Sequence, residues 1–357
     1  MQTFPRVAIV GAGIAGLSCA TALAQAGLDI ALFEKSRGPG GRMSTRRAAA
    51  GPPGPGGEPS CEATWQCDHG ARYFTARDPA FGAEVARWQQ AGVAAPWTPR
   101  FQVLGGGSTD GEVRNDFGDD LSDNLSDSPR WVGTPRMTAP AQWLAAPLAL
   151  RLQTTVSALH PQPGGWALSS AEHGRIDARF DALVLALPAP QAAALLQTAA
   201  TAVADLAALA AAVPMRACWV LMLRYPAPLA LPFDAAVVGG GPLRWIARDN
   251  SKPGRSGGET WLLQASPDWS ALHLEDSPDA VAAALLAAFN AQGGPAPQAW
   301  TAHRWRFADA APAARPGAIW QGDRGIGLCG DWLHGGGVEG AWLSGRQLAQ
   351  ALLAGGE

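Results

Sequence analysis

The stretch from Val7 to Glu34 constrains the fold more than any other part of the chain. Val7-Ala8-Ile9-Val10 is a short apolar run with β-branched residues, as a buried parallel strand requires. Gly11-Ala12-Gly13-Ile14-Ala15-Gly16 follows at once, then a helical pattern from Leu17 to Gln25 stopped by Gly27. A second apolar run, Ile30 to Phe33, closes on Glu34. Strand, G-x-G-x-x-G turn, helix, strand and terminal acid in that order form a dinucleotide-binding unit. Gly11 permits the tight turn, Gly13 lets backbone approach a pyrophosphate, and Gly16 lets helix and strand pack closely. The helix start offers free N–H groups and positive dipole to phosphates. Glu34 suits two ribose hydroxyls and repels a 2′-phosphate.

Two further glycine-rich turns choose between dinucleotides. Arg37-Gly38-Pro39-Gly40-Gly41-Arg42-Met43-Ser44-Thr45 places glycines and two arginines just after the second strand. A flavin dinucleotide lying extended across the sheet needs close backbone approach and cationic neutralisation there, whereas the nicotinamide half of NAD leaves such a domain. At the far end, Gly325 to Trp332 reads as a strand ending in Gly330-Asp331. Leu333-His334-Gly335-Gly336-Gly337-Val338-Glu339-Gly340-Ala341 follows, then a helix from Trp342 through Leu353. Asp331 at a strand tip suits a polyol hydroxyl, and the helix start can face the electron-rich edge of a flavin ring. Cys329 reads as strand core rather than a covalent flavin anchor, so FAD is expected to be bound non-covalently.

Composition excludes other classes. The 357 residues suit roughly two domains. A net charge of −3, with Lys35 and Lys252 the only lysines, leaves no basic footprint for nucleic acid or an anionic membrane. The cysteines, Cys19, Cys61, Cys67, Cys218 and Cys329, are odd in number and form no C-x-x-C, which points to a reducing compartment. Cys67 and His69 lack a second pair for zinc, and no metal is expected. Ala22-Leu23-Ala24 imitates an export cleavage site, but the nucleotide motif occupies the same residues. The alanine-rich stretch Ala192 to Val213 reads as a surface or interdomain helix.

Between the nucleotide elements lie apolar runs at 154–159, 166–169, 181–188, 218–222 and 260–264, read as strands. They imply a second domain inserted into the first. Residues 48–67, rich in Pro and Gly, and 105–129, rich in Asp, read as flexible inserted loops; the acidic run lacks EF-hand spacing.

The chain resembles the flavin amine oxidase superfamily, and within it the bacterial renalase-like flavoproteins. The matching stretches are 7–34, 38–47, Asp68 to Thr75 and Val132 to Met137. Further ones are Trp245-Ile246-Ala247, Asn250 to Arg255, His303 to Ala308 and Cys329 to Gly345. The resemblance implies an α/β fold: a Rossmann-type FAD-binding domain, as in amine oxidases and glutathione reductase, with an inserted α+β substrate domain. The expected division is 1–80, 150–195 and 315–357 against 81–149 and 196–314. It also implies FAD contacts at Gly11, Gly13, Ile14, Ala15, Gly16, Glu34, Lys35, Gly41, Arg42, Met43, Gly70, Ala71, Val156, Asp331, Val338, Glu339 and Ala341. The activity it implies is oxidation of 2- or 6-dihydronicotinamide isomers to NAD(P)+, with electrons passed to dioxygen as hydrogen peroxide.

Three readings stay open: that oxidase, an amine oxidase acting on a small amine, and a flavin-binding protein without turnover. The first fits the lack of an evident His/Asp or Ser/His dyad, because hydride loss yields an aromatic pyridinium directly. The second asks for an aromatic cage and a lysine, for which only Lys252 is available. Substrate-pocket candidates are Tyr73, Trp245, His303, Trp305 and His334. The expected partners are a small-molecule substrate and dioxygen, and the expected location is the cytoplasm.

Overall fold

A computed structural model describes residues 5–48, 65–105, 128–310 and 316–355. Cys61 and most of both inserted loops lie outside the described residues.

The chain folds as α/β with a Rossmann-type parallel sheet and a second, mostly antiparallel sheet. The first sheet has six strands in the order 319–321, 326–328, 182–185, 6–10, 29–33 and 150–151. All pairs are parallel except the edge pair of Ile319–Gln321 with Ile326–Leu328. Its central strand, Arg6–Val10, is buried over Val7 to Val10, which explains its unbroken apolar run. The second sheet has the order 299–310, 215–225, 259–265, 243–248, 235–238 and 101–104, antiparallel but for its last pair. A three-stranded antiparallel sheet, 156–162, 165–170 and 174–180, packs beside the first through Phe33 and Phe180.

Helix starts fall earlier than the glycine-rich sequence indicates. The first helix is Ile14–Gln25 and the last is Gly337–Ala354, so Gly16, Val338, Glu339 and Ala341 are helical. The two helices touch where Gly345 meets Ala15: a Cβ on Gly345 would lie 2.1 Å from the Ala15 carbonyl oxygen. Ser18 Oγ donates to the Trp342 carbonyl at 2.8 Å. The crossing packs the start of the first helix against the middle of the last, and the starts of both line one cavity.

Two expectations are corrected. The stretch 192–213 is no continuous helix but Ala189–Leu196, a 3₁₀ segment Gln197–Val203 and Ala204–Ala211. It turns back to bury Ala193, Leu196 and Leu206, as an alanine-rich element with little side-chain volume must in order to find a core. The loop assigned to 48–67 ends earlier: Trp65–Asp68 pairs antiparallel with Thr45–Ala48. Trp65 and Cys67 are buried on alternate positions, a two-residue period hidden by the Pro/Gly-rich chain before it.

Apolar packing is continuous between the sheets, since Val7, Leu17 and Val184 share one buried cluster with Val237 and Trp245. No described helix is long and apolar enough to cross a membrane.

Candidate flavin site

The converging helix starts open onto a cavity of about 360 Å³. Gly13, Ile14 and Ala15 line it from the first helix, and Gly335, Gly336, Gly337, Val338, Glu339 and Ala341 from the last. Neither helix carries a side-chain cap, so free N–H groups and the positive dipole ends face the cavity. Gly335, Gly336 and Gly337 all have positive φ, 91°, 86° and 68°, a run that only glycine adopts without strain. Gly13 has no atom within 4 Å of where a Cβ would stand. The backbone there is bare, as a phosphate cradle needs.

Arg42, in the 3₁₀ turn Gly41–Met43, reaches across to Asp331 in a two-point ion pair of 2.6 and 2.9 Å. Met43, Gly70 and Ala71 continue the wall. Gly70 has no room for a side chain, because a Cβ would lie 1.9 Å from the Arg42 carbonyl oxygen. Beyond them stand Arg72, Tyr73, Gln264 and Trp305. Glu339 turns its carboxylate aside to accept the backbone N–H groups of Arg77 and Asp78, both at 2.7 Å.

Several residues expected at the site lie outside this wall. Gly11 and Gly16 shape the turn beneath it: a Cβ would meet the Ala186 carbonyl oxygen at 2.5 Å and the Gly11 oxygen at 2.0 Å respectively. Gly41, at φ +52°, backs onto Gly13. Glu34, Lys35 and Val156 gather beyond the cavity. Glu34 is buried and accepts the N–H groups of Ala12 and Ser36 at 2.9 and 2.8 Å. The Thr154 N–H donates to the Glu34 carbonyl at 2.9 Å, which places the start of the Val156 strand alongside.

Of the substrate candidates, Tyr73 and Trp305 line the cavity, while Trp245, His303 and His334 do not. Trp245 is fully buried beneath Tyr73, with ring centroids 5.9 Å apart. His303 packs edge-on against Trp305 and His69. His334 Nε2 lies outside the wall, 3.0 Å from Gln347 Nε2. Arg72 and Gln264 were not singled out from sequence. A charged residue directly after two small cavity-lining positions, Gly70-Ala71, is the signal that marks Arg72.

Lys252 stands elsewhere. It is buried against Asp68 and Asp249, at 3.2 and 2.8 Å, and Arg255 pairs with Asp68 beside it. The two cations, together with the Thr45 hydroxyl, hold the Asp68 carboxyl far below the usual range despite its burial. Burial and then Asp68 push Asp249 up.

An uncapped pair of helix starts, a bare glycine turn and a cation between them fit a flavin dinucleotide. The comparisons agree. Residues 9–87 match the NAD(P)-binding Rossmann-like domain. A bifunctional protein of tRNA 5-methylaminomethyl-2-thiouridine biosynthesis from Magnetococcus marinus is 33% identical over 208 residues, which is 50% of this chain and 29% of that protein. A hydroxyneurosporene desaturase from Cereibacter sphaeroides is 49% identical over 51 residues, 14% of this chain and 10% of the desaturase. The chain therefore spans less than a third of either relative. In fold it is similar to a protein from Exiguobacterium described as a "putative protoporphyrinogen oxidase", with a TM-score of 0.70 at 15% identity over 98% of both chains. A cyclohexylamine oxidase from Brevibacterium oxydans also scores 0.70 at 15% identity, over 98% of this chain and 99% of that one. Residues 100–353 match the family of flavin containing amine oxidoreductases, and with that the chain belongs to this family and is a flavin-dependent oxidoreductase.

Proposed function

We propose that the chain binds FAD non-covalently and oxidises 2- or 6-dihydronicotinamide dinucleotides to NAD(P)+, with dioxygen as the acceptor, in the cytoplasm. The observation that carries this reading is the place of Lys252. The one lysine available for amine chemistry is locked in a buried ion-pair cluster and is absent from the cavity wall. The wall instead offers flat rings, Tyr73 and Trp305, and the cation of Arg72, which disfavours a protonated amine. Held at Gly13, Arg42 and Gly335 to Gly337, a bound FAD would supply a two-electron hydride acceptor that dioxygen could reoxidise with release of hydrogen peroxide. The chain's own residues then need only position the reductant, because losing hydride makes its ring aromatic without a base. Cys329, fully buried and outside the cavity wall, supports non-covalent binding. The four described cysteines are free thiols, which suits a reducing compartment.

An amine substrate is the second reading, favoured by the names of two solved neighbours, putrescine oxidase and cyclohexylamine oxidase. Anaerobic mixing separates the two. Flavin absorbance should bleach with the 2- or 6-dihydronicotinamide isomers and persist with a panel of primary amines. Bleaching by amines alone overturns the reading.

A further inference from the structure

Arg72 is held by Gln264 and by the Trp245 ring and pairs with no carboxylate among the described residues. Its Nε donates to Gln264 Oε1, and Gln264 in turn donates through Nε2 to the Gly70 carbonyl at 3.1 Å. The guanidinium lies over the ring of the fully buried Trp245, 5.0 Å from its centroid. Such a plane is pre-aimed, because packing and hydrogen bonding fix it before any ligand arrives. Arg42, Arg216 and Arg255 each pair with a carboxylate. Among the described residues none pairs with Arg72. The acids that share its cavity are engaged elsewhere: Asp331 with Arg42, Asp309 with Arg216, and Glu339 with backbone amides. A half-buried guanidinium with both terminal nitrogens uncommitted is arranged to receive oxygen.

We propose that Arg72 forms a subsite for an acceptor oxygen carried on the substrate's flat ring, and that it rejects a ring-borne ammonium. This rests on the proposed function, under which the oxygen is that of the dihydronicotinamide carboxamide. Gln264 is a positioning residue: it orients Arg72 and ties it to Gly70, at the wall where the flavin ring is expected.

The test uses oxidised holoenzyme and three probes of one ring size, nicotinamide, nicotinate and 3-(aminomethyl)pyridine, titrated by calorimetry. The native protein should bind the two oxygen-bearing probes roughly tenfold or more tightly than the amine, the usual scale for hydrogen bonds to a charged group. Arg72→Gln should erase that preference and leave amine binding equal or stronger. Arg72→Lys keeps the charge without the planar fork. It should weaken nicotinamide more than nicotinate, and it serves if the first variant does not fold. Unchanged probe affinities in either variant, or no binding of oxygen-bearing probes to native protein, overturn the subsite. If the preference depends on Arg72 but no dihydronicotinamide isomer bleaches the flavin, the functional reading fails and the subsite stands.

Discussion

The Arg42 guanidinium and the Asp331 carboxylate, 289 positions apart in the chain, close on each other at 2.6 and 2.9 Å in the cavity wall. Arg42 also donates to the Ala308 carbonyl at 3.2 Å. The pair joins the turn after the second parallel strand to the turn before the last helix, so both glycine-rich walls keep one spacing. The Asp331 carboxyl is nearly buried, and an uncompensated anion there would repel a pyrophosphate. Arg42→Ala should therefore cut FAD affinity by about tenfold to a hundredfold, the span of a charge-assisted pair. Asp331→Asn, which keeps shape and removes the charge, should lose less. Quenching of flavin fluorescence on titration into apoprotein measures both; undiminished affinity in Arg42→Ala sinks the assignment.

Two glycines should respond in opposite ways to the same methyl group. Gly13 has φ −74° and ψ 176°, a conformation open to alanine, and no protein atom lies within 4 Å of the added Cβ. Gly13→Ala should fold with stability within about 0.5 kcal/mol of native yet lose FAD, because the methyl occupies the phosphate cradle. At Gly345 the Cβ would strike the Ala15 carbonyl oxygen, and the Cys19 nitrogen at 3.0 Å. The helices must then part, at a cost of about 1–3 kcal/mol despite alanine's better helix propensity. Urea unfolding of the two apoproteins tells them apart, and equal midpoints would contradict the account.

The opening strand, turn, helix and strand were legible because glycine spacing and an unbroken apolar run each have one physical use there. The helix starts at Ile14 and Gly337 were harder to see. Glycine-rich segments read as turns, although the same bare backbone that makes a turn also starts a helix on a phosphate. The strand Trp65–Asp68 was obscured for a related reason, its two-residue burial period being short and set against a Pro/Gly run. His334 looked well placed because it lies between Asp331 and the glycines. The three glycines after it line the cavity, while its own ring lies outside against Gln347. The Lys252 cluster was only half legible: Asp249, Lys252 and Arg255 stand three residues apart, but Asp68, which completes the cluster, comes from a strand about 180 positions away.

That cluster should behave as one unit. Removing Lys252 leaves Asp68 and Asp249 buried with Arg255 alone, and breaking a buried pair on one side costs about 3–5 kcal/mol. Lys252→Met should lower stability by that amount, whereas adding Asp249→Asn should recover a large part by removing the carboxylate left behind. A double-mutant cycle by urea denaturation reads the coupling. Additive losses would show that Lys252 and Asp249 act independently.

Acid should weaken the fold before the carboxylates titrate, and His69 is the reason. Burial, with His303 and Arg46 nearby, pushes the His69 pKa from 6.5 to about 3. Its Nδ1 is buried with no hydrogen-bond partner among the described residues. Burial and then Arg46 lower His303 to about 4. Its Nδ1 lies 3.0 Å from Arg46 Nη1, which donates to it, so the folded state holds His303 unprotonated there. In the unfolded chain both imidazoles take up protons below about pH 6.5, while the folded chain refuses them. The unfolded state then binds more protons, so stability declines as pH falls from about 6.5 towards 4 and is flat above that window. The slope from His69 approaches about 1.4 kcal/mol per pH unit; His303, more exposed, contributes less because water screens it. Urea midpoints between pH 7.5 and 5 should fall steeply in the native protein and less so in His69→Asn. Parallel curves for the two proteins would remove His69 as the source.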